Sequence, residues 1–404
     1  MLNPMSDPAS DARERAARTR LTLLRRLADV VCLPGSRINN FERAVIGDLM
    51  VEILREASEV ERRRVAERLS HLAEIPNALL RLLLCDKISV AAPMLEDSTA
   101  LSDADLMTCV KKASLEHRLA IAGRRGLSES VGDTLIKRGE PAVMQALLKN
   151  NAARLSQTTL ETVVAHSRKD TSLIGPLLRR MEMRPSSAYV MYWWSDAEQR
   201  TAILQRFAVS RLVLQDSVED VFSMAAEGGW NDPVVRKALQ FIERRQRNRA
   251  AINKSPYESL EAAVEAGVRG IDRALLTEIA HLSGIKPLTA AKILSDPLGD
   301  PIAILCKAAG LSRQHLHYIW QGLKRNEFTP DGELDATWER VQICYEMLAV
   351  DRAQTVLRYW NWALSSALTP TLLRAIREGE KPLVDEYSLP ERAAHLVLAK
   401  NSDH

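Results

Sequence analysis

An all-α fold is what this sequence predicts: a HEAT-like solenoid of helical hairpins followed by further helical regions at the C-terminal side. Three observations carry that prediction. First, one phrase recurs, a helix-starting residue followed by apolar residues four, seven and eight positions on. It occurs as Pro76 with Leu80, Leu83 and Leu84, and as Ser102 with Leu106, Cys109 and Val110. It returns as Ser156 with Leu160, Val163 and Val164, as Ser186 with Val190, Trp193 and Trp194, and as Ser217 with Val221, Met224 and Ala225. Ser128 opens a looser copy with Val131, Leu135 and Ile136. The starts lie 26, 26, 28, 30 and 31 residues apart. A period in this range marks stacked hairpins, none of which can bury its own apolar face alone. Second, the 404 residues are 46% apolar but only 5% aromatic, with Ala, Leu and Arg dominant, a bias toward side chains that lose little freedom in a helix. Third, no useful length alternates apolar and polar residues at the period of a strand.

The elements follow in order. Residues 1–18 are polar and aperiodic and are expected to form a disordered tail. Helices are expected over 19–74: one at Leu21–Val31 ended by Pro34-Gly35, one carrying Phe41, Val45, Leu49 and Ile53 at four-residue spacing, and one at Glu59–Leu72 with Val60, Val65 and Leu69 inward. The repeat array is expected over 75–250. Its start residues cap the first helix of each unit, since a Ser oxygen accepts from an orphaned first-turn N–H. Its second helices are expected at Ile88–Leu95, Glu116–Ala122, Pro141–Leu148, Ser172–Leu178, Gln199–Phe207 and Pro233–Ile242. A second helical region spans 255–325, Glu327–Gly332 reads as a loop, and a third region spans 334–404 with Trp338, Val341, Tyr345, Leu348, Val356, Trp360, Trp362 and Leu364 along its stripe.

Bulk properties narrow the class. A net charge of +3 is too small to imply a polyanionic partner. Five scattered cysteines with no C-x-x-C pair read as reduced thiols. No apolar run nears the ~20 residues of a membrane span, and the polar N-terminus is not a secretory signal, so a soluble cytoplasmic protein is expected.

Several ordered motifs carry a family resemblance. Ala91-Ala92-Pro93-Met94-Leu95, Leu101-Ser102-Asp103-Ala104-Asp105-Leu106, His117-Arg118-Leu119-Ala120-Ile121-Ala122 and Leu127-Ser128-Glu129 are joined by the run Ala146 to Ser156. Together they resemble the bacterial family called domain of unknown function 2336, over roughly residues 20 to 325. The resemblance implies a bacterial helical-repeat protein and carries over no catalytic residue.

Candidate sites are few. Residues 276–320 hold two helix-turn-helix-like phrases, turning at Gly284 and Gly310. A DNA reader lays the second helix in the major groove, where Lys292, Arg313, Gln314 and His317 have the chemistry to reach bases or phosphates, with Thr289 also outward. The same glycine turn serves any helical hairpin, and the cationic frame that phosphates require is thin. The basic run with Arg244, Arg245, Arg247 and Arg249 suits an acidic partner or, more plainly, a solvated helix end. Tyr189 and Tyr192 stand off the core register that Trp193 and Trp194 occupy, and an exposed aromatic there would anchor a protein partner. His315 and His317 diverge by roughly 200° on a helix and cannot share a metal. No cofactor, metal or small-molecule substrate is expected, and no catalytic motif gives an enzyme reading an anchor. The sequence therefore points to a non-enzymatic scaffold for protein–protein interaction in a regulatory role, with a DNA-binding transcriptional regulator acting through 276–320 as the alternative.

Overall fold

The computed structural model describes residues 8–34, 36–208, 254–365 and Val397. All regular structure among them is helical apart from one antiparallel bridge between Phe328 and Leu334, which carries the expected loop two residues past Gly332 into the start of the region expected as helical. The chain divides into two compact units, Met1–Glu182 and Met183–His404, and the division falls within the stretch 75–250 expected as one array.

The first unit opens with α1 (Pro8–Val31), which begins within the segment expected as a tail: residues 8–18 are its first turns. Then come α2 (Asn40–Glu56) and α3 (Glu59–Leu69), each closed by a capping box, Asn39 with Glu42 and Ser58 with Glu61. Each box satisfies two backbone donors that the first turn would otherwise orphan. Hairpins follow: α4 (Asn77–Leu84) with α5 (Ile88–Asp97), α6 (Asp103–Lys112) with α7 (Leu115–Gly123), and α8 (Glu129–Ile136) with α9 (Pro141–Lys149). The unit closes with α10 (Gln157–Ser167), a 3-10 turn at Thr171–Leu173 and α11 (Ile174–Arg179). Ser102, Ser128 and Ser156 cap α6, α8 and α10 through their side chains, as their place in the phrase requires.

Packing follows a two-layer rule. Each of α3, α5 and α7 lies against the helix two places on, while α6, α8 and α10 stack in the same way in the other layer. The residues four, seven and eight after each cap form the seam. Leu80, Leu83 and Leu84, then Leu106, Cys109 and Val110, then Leu160, Val163 and Val164 are all buried. Burying one such side chain contributes roughly 1.5–3 kcal/mol, so the seam dominates the stability of short helices that would not hold alone. Val60 is a correction: it sits two residues after its cap, roughly opposite that seam on the helix wheel, and is 59% exposed. Phe41, Val45 and Leu49 follow the same rule and point outward from α2, whose inward residues are Gly47, Met50 and Leu54.

The second unit begins with α12 (Pro185–Met191), a 3-10 turn at Tyr192–Trp194 and α13 (Ala197–Phe207). After residue 253 come α14 (Leu260–Ala266), α15 (Arg273–Ser283), α16 (Pro287–Leu294), α17 (Asp300–Ala309), α18 (Arg313–Gly322), α19 (Ala336–Met347) and α20 (Val350–Ser365). Gly284 and Gly310 end α15 and α17 in the left-handed region, the conformation that lets each chain turn into its next helix. Helix α17 is the centre of this unit: α19 and α20 pack on it, and all but Lys307 and Ala309 of its residues are buried. The repeat unit expected at Ser217 and the helix expected at Pro233–Ile242 lie outside the described residues.

The unit expected at Ser186 is present with a different start. Pro185 takes the first helical position and Arg184 becomes the cap, so Ser186 is inside the helix and buried. Counted from Arg184, the fourth, seventh and eighth residues are Ala188, Met191 and Tyr192, all of them fully buried. Trp193 and Trp194, expected in the core, are only partly covered.

Candidate functional site

The most concentrated buried charge in the described residues lies in the second unit, and it begins with a small sequence pattern. Four helices open with a cap residue and place arginine four positions later: Asn39 to Arg43, Ser58 to Arg62, Ser114 to Arg118 and Asp196 to Arg200. In an ordinary unit that position is apolar and faces the seam. An arginine there must bring its own partners, because an unpaired buried charge is very costly.

Three of the four find the same kind of partner. Arg62 donates to the carbonyl of Ala57 at 2.7 Å and grips Asp86 through two bonds, of 2.5 and 3.0 Å. Arg118 donates to the carbonyl of Ala113 at 2.5 Å and grips Glu140 with two bonds of 2.6 Å. Arg200 donates to the carbonyl of Ser195 at 3.1 Å and grips Asp296 with bonds of 2.7 and 2.8 Å. In each case the guanidinium binds the residue before its own cap and a carboxylate further along the chain. The planar fork matches a carboxylate, which a lysine cannot do. Arg43 departs from the pattern, donating to Leu33 at 2.9 Å and standing 3.5 Å from Glu74.

The Arg200 rung is the deepest. Asp300 lies 3.4 Å from Arg200 and accepts from Arg340 at 3.1 Å, while Arg340 also donates to the carbonyl of Leu298 at 2.8 Å. Asp296 accepts in addition from the backbone of Leu298 and Gly299, both at 3.1 Å. Burial pushes the Asp300 carboxyl up against the pull of Arg340 and Arg200. Desolvation opposes the Arg200 charge, yet the Asp296 bond and the neighbouring acids and Tyr192 hold its pKa above the ordinary arginine value. Arg200 also stacks over Tyr192, 4.7 Å from the ring centre. Beyond it lies an aromatic cluster, with Tyr189 4.9 Å from Tyr359 and Tyr192 5.1 Å from Trp360, ring centre to ring centre. The Tyr192 hydroxyl is buried with no hydrogen-bond partner among the described residues, and burial raises its pKa well above that of a free phenol. Chemically, the network is a lock. Its carboxylates are buried and engaged, so they join α13, the 295–299 turn and α19 around the start of α17.

A second polar device recurs in the first unit. Arg124, Asn150 and Arg180 each follow the second helix of a hairpin and donate back to the preceding hairpin. Arg124 reaches the carbonyls of Leu95, at 2.8 Å, and Ser98. Asn150 reaches those of Ala122 and Arg124 at 2.8 and 2.7 Å, and Arg180 those of Asn150 and Ala153 at 2.8 and 2.7 Å. Helix ends leave such carbonyls without partners, so this ladder finishes each hairpin with a group from the next.

The expected site residues fall differently. Tyr189 and Tyr192 are buried, Tyr189 donating to the carbonyl of Phe207 at 2.7 Å, so neither offers a free face. For Tyr192 the reason is the shifted start at Pro185, which makes it the eighth residue after the cap, whereas Tyr189 lies on a helix whose residues from Ser186 to Met191 are all buried. Arg244, Arg245, Arg247 and Arg249 lie outside the described residues. Lys292 holds its ammonium 5.4 Å from the Trp193 ring centre. Thr289, expected outward, is fully buried and bonds Asn361 at 3.2 Å, so α20 covers the face of α16 that a groove reader would present. Arg313 is exposed but bonds Gln342 at 2.8 Å and stands 3.8 Å from Glu346, Gln314 bonds the Tyr318 hydroxyl, and His317 lies 3.0 Å from Glu327. An acid thus stands beside Arg313 and another beside His317.

The rung makes a pH prediction. The Arg118 bonds hold the Glu140 carboxyl below its ordinary value despite slight desolvation. A lowered folded pKa contributes stability above the unfolded value of about 4.3 and loses it as pH falls through the folded pKa. Stability measured by urea unfolding should therefore drop below about pH 4.3, and Glu140→Gln should start lower and show a shallower acid slope. An unchanged slope in the variant would remove this role from the rung.

Comparison with known proteins adds one match. A family model described as an uncharacterised protein conserved in bacteria, domain of unknown function 2336, covers residues 90–358. The chain belongs to this family. The match begins later than the expected residue 20 and runs past 325, and it includes Arg118, Arg200, Asp296, Asp300 and Arg340. The deepest rung thus lies within the residues matched to domain of unknown function 2336. No curated protein and no solved structure matches the chain.

Proposed function

We propose that this chain is a HEAT-like helical-repeat scaffold, a solenoid in its first unit, that works in the bacterial cytoplasm by holding a protein partner and does not turn over a substrate. One observation carries the reading. The charged groups best placed for chemistry are engaged inside the frame, while large apolar side chains stand outside it, with Phe41 77% exposed. Large exposed aromatics are favoured anchors at protein interfaces. No helix among the described residues is long and apolar enough to cross a membrane, which fits this reading.

Duplex DNA binding through 276–320 has less support, because Thr289 is covered and Arg313 faces Glu346. Mild crosslinking of the intact chain in its host, followed by purification, tests the scaffold reading. The expected result is one or more proteins recovered in stoichiometric amount. Recovery of the chain alone, or of duplex DNA in a salt-sensitive complex, would overturn it.

A further inference from the structure

Helix α2 carries two adjacent rows at four-residue spacing on its outer side. One is apolar, Phe41, Val45 and Leu49, exposed by 77%, 45% and 50%. The other is acidic, Asp48 and Glu52, both exposed and without an ion pair among the described residues. At 100° per residue, both acids fall within about 20° of Phe41 on the helix wheel, so the rows run side by side as neighbouring ridges. The apolar row does no work in the core. The inward side of α2 is Gly47, Met50 and Leu54, and Gly47 is so tight against Pro76 that a Cβ there would lie 2.5 Å from the proline ring. Exposed apolar residues scattered singly need no explanation, but three in one row on one helix form a surface.

We infer that this face of α2 docks a basic amphipathic helix of a partner protein. The inference rests on the scaffold reading and gives its partner a chemistry. An apolar ridge on the partner covers Phe41, Val45 and Leu49, in the manner of a helix laid against an apolar face. A lysine- or arginine-bearing ridge beside it meets Asp48 and Glu52. Charge complementarity decides the occupant, because an acidic or neutral helix would bury those two carboxylates against nothing.

The test uses the full chain and two synthetic amphipathic helices of about 18 residues with identical leucine faces, one flanked by lysine and one by glutamate. Fluorescence anisotropy should show the lysine probe binding about tenfold more tightly than the glutamate probe, with the difference shrinking as salt rises. Phe41→Ser and Leu49→Ser should each weaken the lysine probe about tenfold, and the double change Asp48→Lys with Glu52→Lys should reverse the preference. All four positions are exposed, so circular dichroism melts should stay unchanged. Equal binding of both probes, no binding, or affinity indifferent to these changes would overturn the inference. So would a dimer in sedimentation that Phe41→Ser dissolves, since the occupant would then be a second copy. A gain in probe affinity when Arg244, Arg245, Arg247 and Arg249 are changed to Ser would likewise overturn it, by making the chain's own basic run the occupant. Failure here with partner recovery intact moves the partner to another face; failure of both removes the scaffold reading as well.

Discussion

Arg200→Ala should lower the unfolding free energy of the second unit by about 3–5 kcal/mol, the cost of leaving a buried carboxylate without its cation. The loss has four parts. The paired bonds to Asp296 vanish, Asp300 keeps only Arg340, and the carbonyl of Ser195 loses its donor. The stack on Tyr192 also goes. Urea unfolding at pH 8 measures the total. A second measurement separates buried charge from lost packing. Burial already pushes the Asp300 carboxyl up, and removing Arg200 pushes it further. An acid whose folded pKa exceeds its unfolded value destabilises the fold above that pKa and recovers as pH falls through it. The deficit of the variant should therefore narrow as pH falls from 8 toward the unfolded carboxylate value of about 3.9. A deficit independent of pH would assign the effect to packing, and one below about 1 kcal/mol would mean the rung is not a buried charge lock at all.

Why that lock was not legible in the sequence is a matter of distance and of disguise. Arg200 meets Asp296 and Asp300, 96 and 100 residues away, so no local spacing could announce the group. Its local half was readable. The pentads at Asn39, Ser58, Ser114 and Asp196 share a cap and an arginine four places on, at a position the repeat phrase reserves for apolar residues. Read by hydrophobicity alone, such an arginine looks like a solvated residue that breaks the pattern. The seam itself was legible because burial repeats at the helical period, and Leu80, Leu106 and Leu160 face it as expected. Tyr192 was misplaced for a nearby reason. A proline at the first helical position competes with a serine one residue later for the start of the helix, and the shift of cap from Ser186 to Arg184 rotates every side chain after it by about 200°. Val60 and the Phe41 row show the limit of spacing arguments: four-residue periodicity proves a helix but not which way its stripe points. Counting from the cap supplies the direction.

Gly299→Ala should destabilise the second unit by about 3 kcal/mol, and Gly310→Ala supplies its control. Both glycines lie in the left-handed region, at φ of +79° and +81°. An alanine at either pays the same backbone strain, of order 1–2 kcal/mol. Their surroundings differ. Around Gly310 a Cβ would meet nothing within 4 Å. At Gly299 it would lie 2.5 Å from the Trp320 ring and 3.0 Å from Val341. Trp320 has little room to yield. Its indole nitrogen donates to the carbonyl of Asn326 at 3.0 Å, Trp338 stacks 5.0 Å away, and Arg325 covers it at 4.9 Å. Overpacking such a site costs about 1–3 kcal/mol beyond the strain. Gly299 is also hinged to the charge lock, since its N–H donates to Asp296. A methyl that moves this turn therefore loosens the Arg200 rung along with the Trp320 packing. Urea midpoints of the two alanine variants, compared with each other, isolate the steric part from the strain both share. Equal midpoints would mean that Trp320 gives way freely, and the packing of α17 against α18 and α19 would then be far softer than its buried side chains imply.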